Sequence, residues 1–116
     1  IDRDAVARLA AGEMPFQEEG AERLLASGLR SGRLVFTSDP ARIAGVPIVI
    51  LTVGTGIDPF QNPLVGDITS CVAGLLPYLS DEQLLVLRST VVPGVTEFVQ
   101  QWLVRQGRRT PVAFCP

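Results

Sequence analysis

No histidine occurs in this 116-residue sequence. That removes Ser-His and Cys-His nucleophile pairs, and imidazole metal ligation, from the chain. Cysteine is scarce: Cys71 and Cys115 stand far apart. They make neither a disulfide framework nor a metal-spacing motif, and a reducing, cytoplasmic setting is the simplest context for them. Long apolar runs are missing too, and none approaches the ~18 residues of a membrane-spanning helix. The first residues, Ile-Asp-Arg-Asp, lack an initiator Met and have neither the charged nor the apolar region of a signal peptide. Large excess charge is absent: the net charge is −2, acids and bases are interspersed, and Arg108-Arg109 is too short for a basic patch. Neither a membrane nor a nucleic-acid partner is expected.

Apolar content is plentiful, at 47 % with positive mean hydropathy, which suits one globular domain and argues against disorder. Its most concentrated stretch is Ile-Val-Ile-Leu-Thr-Val-Gly-Thr at 48–55. An aliphatic run without alternation reads as a strand buried on both faces of a parallel sheet. In open α/β sheets the ligand lies beyond the carboxyl ends of such strands, which places Gly54 and Thr55 where a cofactor passes.

The remainder of the chain supplies the other layers. Ala5, Val6, Leu9 and Ala10 predict a helix over 4–11, capped by Asp2 or Asp4 and stopped by Gly12. A second helix is expected over 18–29, with Ala21, Leu24, Leu25 and Leu29 on one side. Residues 33–37 read as a short strand, and Ser38-Asp39-Pro40 starts a brief helix reaching about Ala44. After the long strand comes a Gly-, Pro- and Asn-rich loop over 54–63. Val65, Ile68, Val72, Leu75, Leu76 and Leu79 predict an amphipathic helix, with the polar residues 80–83 as its exit turn. A strand over 84–88, a helix opened by Pro93-Gly94 and closed by Gly107, and a strand over 111–115 complete the chain. Strands alternating with crossover helices give an α/β class: a doubly wound parallel sheet with helices on both faces.

Two strands end alike, in Val53-Gly54-Thr55 and Arg88-Ser89-Thr90. Small and hydroxyl residues there let a flat ligand approach the backbone. The same residues also serve as ordinary turn or cap residues, and the pattern alone leaves both readings open. Cys115 reads as a buried small hydrophobe rather than a nucleophile, and Cys71 as core or near-core packing. Trp102, Phe98 and Leu103 read as helix-to-sheet packing, and Asp58, Asp67 and Asp81 as caps or solvated turns. Arg88, at the end of a buried strand, needs a carboxylate, a phosphate or a helix C-terminus as partner.

A dinucleotide-binding half needs a strand, a Gly-rich turn and a helix. No G-x-G-x-x-G occurs, and the chain opens on a helix. The expectation is a partial Rossmann-like domain from which the first, Gly-rich βαβ unit is missing. In the strand order 3-2-1-4-5-6, residues 33–37 would be the third strand and 48–55 the fourth, with two absent strands between them.

Five segments carry a family resemblance, in one order across essentially the whole chain: Gly-Glu-Met-Pro-Phe-Gln-Glu at 12–18, Ser-Gly-Arg-Leu-Val-Phe-Thr-Ser-Asp at 31–39, Val-Gly-Thr at 53–55, Leu-Arg-Ser-Thr-Val-Val-Pro-Gly-Val-Thr-Glu at 87–97 and Ala-Phe-Cys-Pro at 113–116. Together they resemble the N-terminal NAD-binding domain of the UDP-glucose/GDP-mannose dehydrogenase family, with most similarity to its UDP-N-acetyl-D-mannosamine branch. The resemblance implies an enzyme that oxidises the primary alcohol of a UDP-sugar to a uronate for cell-surface polysaccharide synthesis. It implies NAD used twice in succession, a cysteine thiohemiacetal holding the aldehyde stage, and a homo-oligomer. Thr55 and Thr90 are then NAD contacts, with Gly54 and Ser89 beside them. The ribose-binding acid falls before Ile1, a glutamate serving substrate and catalysis falls just after Pro116, and the catalytic cysteine lies further downstream. No catalytic residue is thus expected within 1–116, and the piece alone should be inactive. Gly56, Leu64 and Ala5 depart from the residues usual in the family.

Two other readings are a hydroxyacid or 6-phosphogluconate type of dehydrogenase and a degenerate Rossmann module that binds without catalysing. The Arg-Ser-Thr-Val-x-Pro-Gly segment argues against the first of these.

Overall fold

A computed structural model of the protein describes residues 2–54 and 65–115. They fall into two compact units, residues 1–39 and 40–116.

In the first unit, helix α1 (Arg3–Ala10) begins at Asp2. Asp2 Oδ1 accepts the backbone N–H groups of Asp4 and Ala5, both at 3.0 Å. These are donors that the helix itself leaves unpaired. Asp2→Ala is expected to cost about 1 kcal/mol, read as a lower denaturation midpoint, whereas Asp2→Asn keeps most of that stability. Helix α2 (Ala21–Arg30) starts three residues later than the periodicity predicts. Its N-cap, Gly20, has φ +79°. That left-handed residue interrupts any helix continuing through Glu18 and Glu19.

Residues 33–37 form no strand. A strand exists by its ladder, and the described residues of this unit contain no other strand to pair with. The segment instead lies on α2: Leu34 N–H donates to the Gly28 carbonyl at 3.3 Å, and a Cβ at Gly28 would stand 3.0 Å from Leu34 Cδ2.

The second unit holds the sheet. Strands β1 (Ile48–Leu51), β2 (Leu84–Leu87) and β3 (Val112–Phe114) are parallel in the order β1-β2-β3. Register pairs Val49 with Leu85 and Leu85 with Val112. Helix α3 (Val65–Leu75) connects β1 to β2, and α4 (Val95–Arg105) connects β2 to β3. Ile68 and Val72 of α3 and Val95, Val99 and Leu103 of α4 share one core with Val49, Leu51, Leu85 and Leu87.

Four expectations are corrected. First, β1 alternates: Val49 and Leu51 are buried, whereas Ile48 is 54 % and Ile50 59 % exposed. The helices α3 and α4 pack on the face carrying Val49 and Leu51, so among the described residues of this unit nothing packs on the opposite face of β1. Second, the helix expected to run to Leu79 changes at Leu76–Tyr78 into a 3₁₀ turn. Pro77 lacks the N–H that the α ladder needs and disfavours α geometry in the residue before it. Third, Phe98 is 45 % exposed and does not join Leu103 in the core. Fourth, residues 80–83 are more than an exit turn, because Gln83 is 2 % exposed.

Gln83 Nε2 donates to the carbonyls of Ile43 and Val46, both at 2.7 Å, and its Oε1 accepts Ser80 N–H at 2.8 Å. Thr110, fully buried, donates its hydroxyl to the Ser80 carbonyl at 2.8 Å. Asp81 accepts Arg109 N–H at 2.8 Å, so its carboxylate ties two turns together. These bonds gather at the amino ends of the strands, opposite the ends where an α/β sheet places its ligand. No buried side-chain nitrogen or oxygen lacks a partner among the described residues.

Candidate functional site

The carboxyl ends of β1 and β2 meet at a small-residue rim. Arg88 N–H donates to the Leu51 carbonyl at 2.8 Å, the last backbone bond between the two strands. Beyond it, Ser89 Oγ donates to the Val53 carbonyl at 2.5 Å. The sequence placed Gly54 and Ser89 at one site, and the fold brings them to adjoining strand ends. Thr90 follows on the same turn and is exposed. Thr55 and Asp58 lie outside the described residues.

Gly54 tests whether the rim fits a flat cofactor. It is exposed and does not have a positive φ. Among the described residues, its two chain neighbours aside, no atom lies within 4 Å of where its Cβ would stand. Neither backbone conformation nor internal packing therefore calls for glycine there. A backbone left bare at the ligand end of a parallel strand suits close approach by a dinucleotide.

Arg88 is exposed, and its Nη1 donates to the Cys115 carbonyl at 3.5 Å. Among the described residues neither a carboxylate nor a helix C-terminus partners it. β2 has already ended at Leu87, so the guanidinium stands in solvent and needs no buried counter-charge. Cys115 is likewise exposed rather than buried, because β3 ends at Phe114. Its N–H still donates to the Leu87 carbonyl at 3.0 Å. Cys71 is half-buried against the core, as its helix position suggests. Burial pushes its thiol pKa above the ordinary value, which keeps it protonated and unreactive.

A cleft of about 440 Å³ adjoins the rim, lined by Val91, Val92, Thr96, Glu97 and Phe114. Gly94, with φ +94°, caps the start of α4 without a side-chain hydrogen bond. Sequence reasoning missed this cleft. Its signal was the Pro-Gly pair, which forces the chain to turn between the rim and α4. A separate apolar cleft in the 1–39 unit is lined by Leu9, Met14, Phe16 and Leu34 with Glu18 and Glu19, and holds none of the expected site residues. Among the described residues no group of three metal-ligating side chains comes together, and no helix is long and apolar enough to cross a membrane.

Comparison with known proteins bears on what this rim serves. The model of the UDP-glucose/GDP-mannose dehydrogenase family, NAD binding domain, matches residues 1–116. A UDP-N-acetyl-D-mannosamine dehydrogenase of Methanococcus aeolicus is 28 % identical over 120 residues, covering 100 % of this chain and 27 % of that protein. A UDP-glucose 6-dehydrogenase of Pseudomonas aeruginosa is 34 % identical over 107 residues, covering 91 % of this chain and 23 % of that protein. The solved structure of a UDP-glucose dehydrogenase from Pyrobaculum islandicum superposes with a TM-score of 0.82 at 27 % identity, over 98 % of this chain and 27 % of that one. The chain thus spans about a quarter of the length of the curated relatives it matches. The parallel sheet, the Rossmann-type likeness and a match running from the first residue to the last agree: the chain belongs to the UDP-glucose/GDP-mannose dehydrogenase family, in the part that forms its NAD binding domain.

Proposed function

We propose that the full-length protein is an NAD-dependent dehydrogenase oxidising the primary alcohol of a UDP-sugar to a uronate. UDP-N-acetylmannosamine is the first candidate substrate, and cell-surface polysaccharide the destination of the product. The observation that carries this reading is the match of all 116 residues to the family's NAD binding domain. Within it, the NAD-binding residues are Gly54, Ser89 and Thr90 of the rim together with Thr55. The cofactor supplies the hydride acceptor, and the rim residues bind it or position the backbone that does. Residues 1–116 are an incomplete NAD-binding domain of a larger protein, a reading supported by the absence of G-x-G-x-x-G and by the span of the relatives. Two free cysteines support a cytoplasmic setting, and the family a homo-oligomer.

The test supplies purified full-length protein with NAD⁺ and, in separate reactions, UDP-N-acetylmannosamine, UDP-glucose and GDP-mannose. NADH absorbance is expected to rise with a UDP-sugar, yielding a pair of NADH for each alcohol taken to a carboxylate. No NADH with any of the three overturns the proposal. The 116-residue chain alone is expected to yield none, and turnover by it would show that the missing Gly-rich unit is dispensable.

A further inference from the structure

We propose that Ser89 is a positioning residue of the cofactor rim: through the Val53 carbonyl it fixes the peptide that presents Gly54. This rests on the reading of the rim as an NAD site. The argument starts from the ladder. β1 and β2 stay joined by backbone up to Arg88 N–H and the Leu51 carbonyl. Strand carbonyls on one edge recur every second residue, so the next acceptor on β1 is Val53. Ser89 reaches that acceptor with its side chain, and the 2.5 Å separation is at the short end for a hydroxyl donor.

The Val53 carbonyl and the Gly54 N–H belong to one planar trans peptide. Fixing the oxygen therefore fixes the direction of the Gly54 N–H, which points the opposite way. Gly54 is exposed and, among the described residues beyond its chain neighbours, no atom lies near its missing Cβ, so the Ser89 bond is the restraint they place on that plane. A preset peptide donor avoids the ordering cost that a loose one incurs when a ligand binds. With its proton on Val53, the Ser89 hydroxyl does not donate to the cofactor. Its effect on affinity runs through the Val53–Gly54 peptide. Arg88, one residue earlier, reaches the Cys115 carbonyl on the other side. The Arg88-Ser89 pair thus ties the end of β2 to both neighbouring chain segments.

The experiment compares full-length wild type, Ser89→Ala and Ser89→Thr, first without NAD. Backbone order is followed by ¹⁵N relaxation at the amides of residues 52–54. Ser89→Ala is expected to lower the order parameters there from about 0.85, the rigid range, toward about 0.6 or less, and Ser89→Thr to restore them by keeping the hydroxyl. The KM for NAD⁺ should rise about tenfold in Ser89→Ala and recover in Ser89→Thr, while the KM for the UDP-sugar moves less than about twofold. If NAD⁺ binding weakens while the backbone order at 52–54 stays at the wild-type value, Ser89 touches the cofactor directly; the proposal is overturned and the NAD reading survives. If wild type binds no NAD⁺, the NAD reading falls, and the proposal with it.

Discussion

Replacing Leu85 by Ala is expected to lower the unfolding free energy of the protein by about 2–5 kcal/mol, the range for truncating a large aliphatic side chain in a close-packed core. Leu85 is fully buried at the centre of the middle strand, with Val49 beside it on β1 and Val112 on β3. The side chain faces the layer of α3 and α4, where Val72, Val99 and Leu103 are also fully buried. Removing three carbons forfeits their transfer free energy. It also leaves a cavity under two helices, which a close-packed layer between strand and helix has little freedom to close. Denaturant unfolding of the 116-residue chain measures the loss. Ile50→Ala supplies the contrast: Ile50 sits on β1 with its side chain 59 % exposed on the opposite face, and well under about 1 kcal/mol is expected there. Equal losses at the two positions would show that the sheet is covered on both faces, as the unbroken apolar run suggested.

That contrast marks the limit of what the run at 48–55 reveals. Ile-Val-Ile-Leu fixes a strand, since β-branched residues fit a pleated surface. It does not say which neighbours cover each face, because Ile50 would look the same in sequence whether a helix lay over it or not. The order of elements is legible because each has local punctuation: Asp2 before α1, Gly12 after it, Pro93-Gly94 before α4 and Gly107 after it. Pro77 was equally visible, but the apolar spacing continuing to Leu79 masked the switch to a 3₁₀ turn. Residues 33–37 have strand composition and no ladder, for pairing belongs to two segments and composition to one.

The rim shows the same division. That Gly54, Ser89 and Thr90 lie at strand ends could be read from where the apolar runs stop. The bond from Ser89 to Val53 could not, since it joins residues 36 apart. Arg88 and Cys115 differ from expectation in one way: the apolar runs place both inside strands that end one residue earlier. A single residue of boundary error carries a side chain from the interior to solvent.

Gln83→Leu is expected to destabilise the protein by roughly 3 kcal/mol or more, although leucine has similar bulk and the position lies in a segment that reads as solvated. The sequence around it, Ser-Asp-Glu-Gln, looks like a surface turn. The amide is nevertheless buried and makes three hydrogen bonds: two donated to the carbonyls of Ile43 and Val46, one accepted from Ser80 N–H. Leucine leaves those backbone groups without their partner, at about 1–3 kcal/mol for each one that water cannot reach. Gln83→Glu separates the hydrogen bonds from packing, because its shape is nearly unchanged. A carboxylate keeps the acceptor facing Ser80 but has no N–H for the two carbonyls, and its charge faces oxygen lone pairs. The glutamate variant is therefore expected to be at least as unstable as the leucine variant at neutral pH. It should regain part of the loss as the solution is acidified, since protonation removes the charge and restores one donor. Denaturant midpoints at neutral and mildly acidic pH decide this. A glutamate variant as stable as wild type would mean that the Gln83 amide contributes little to holding the approach to β1 against the turn before β2.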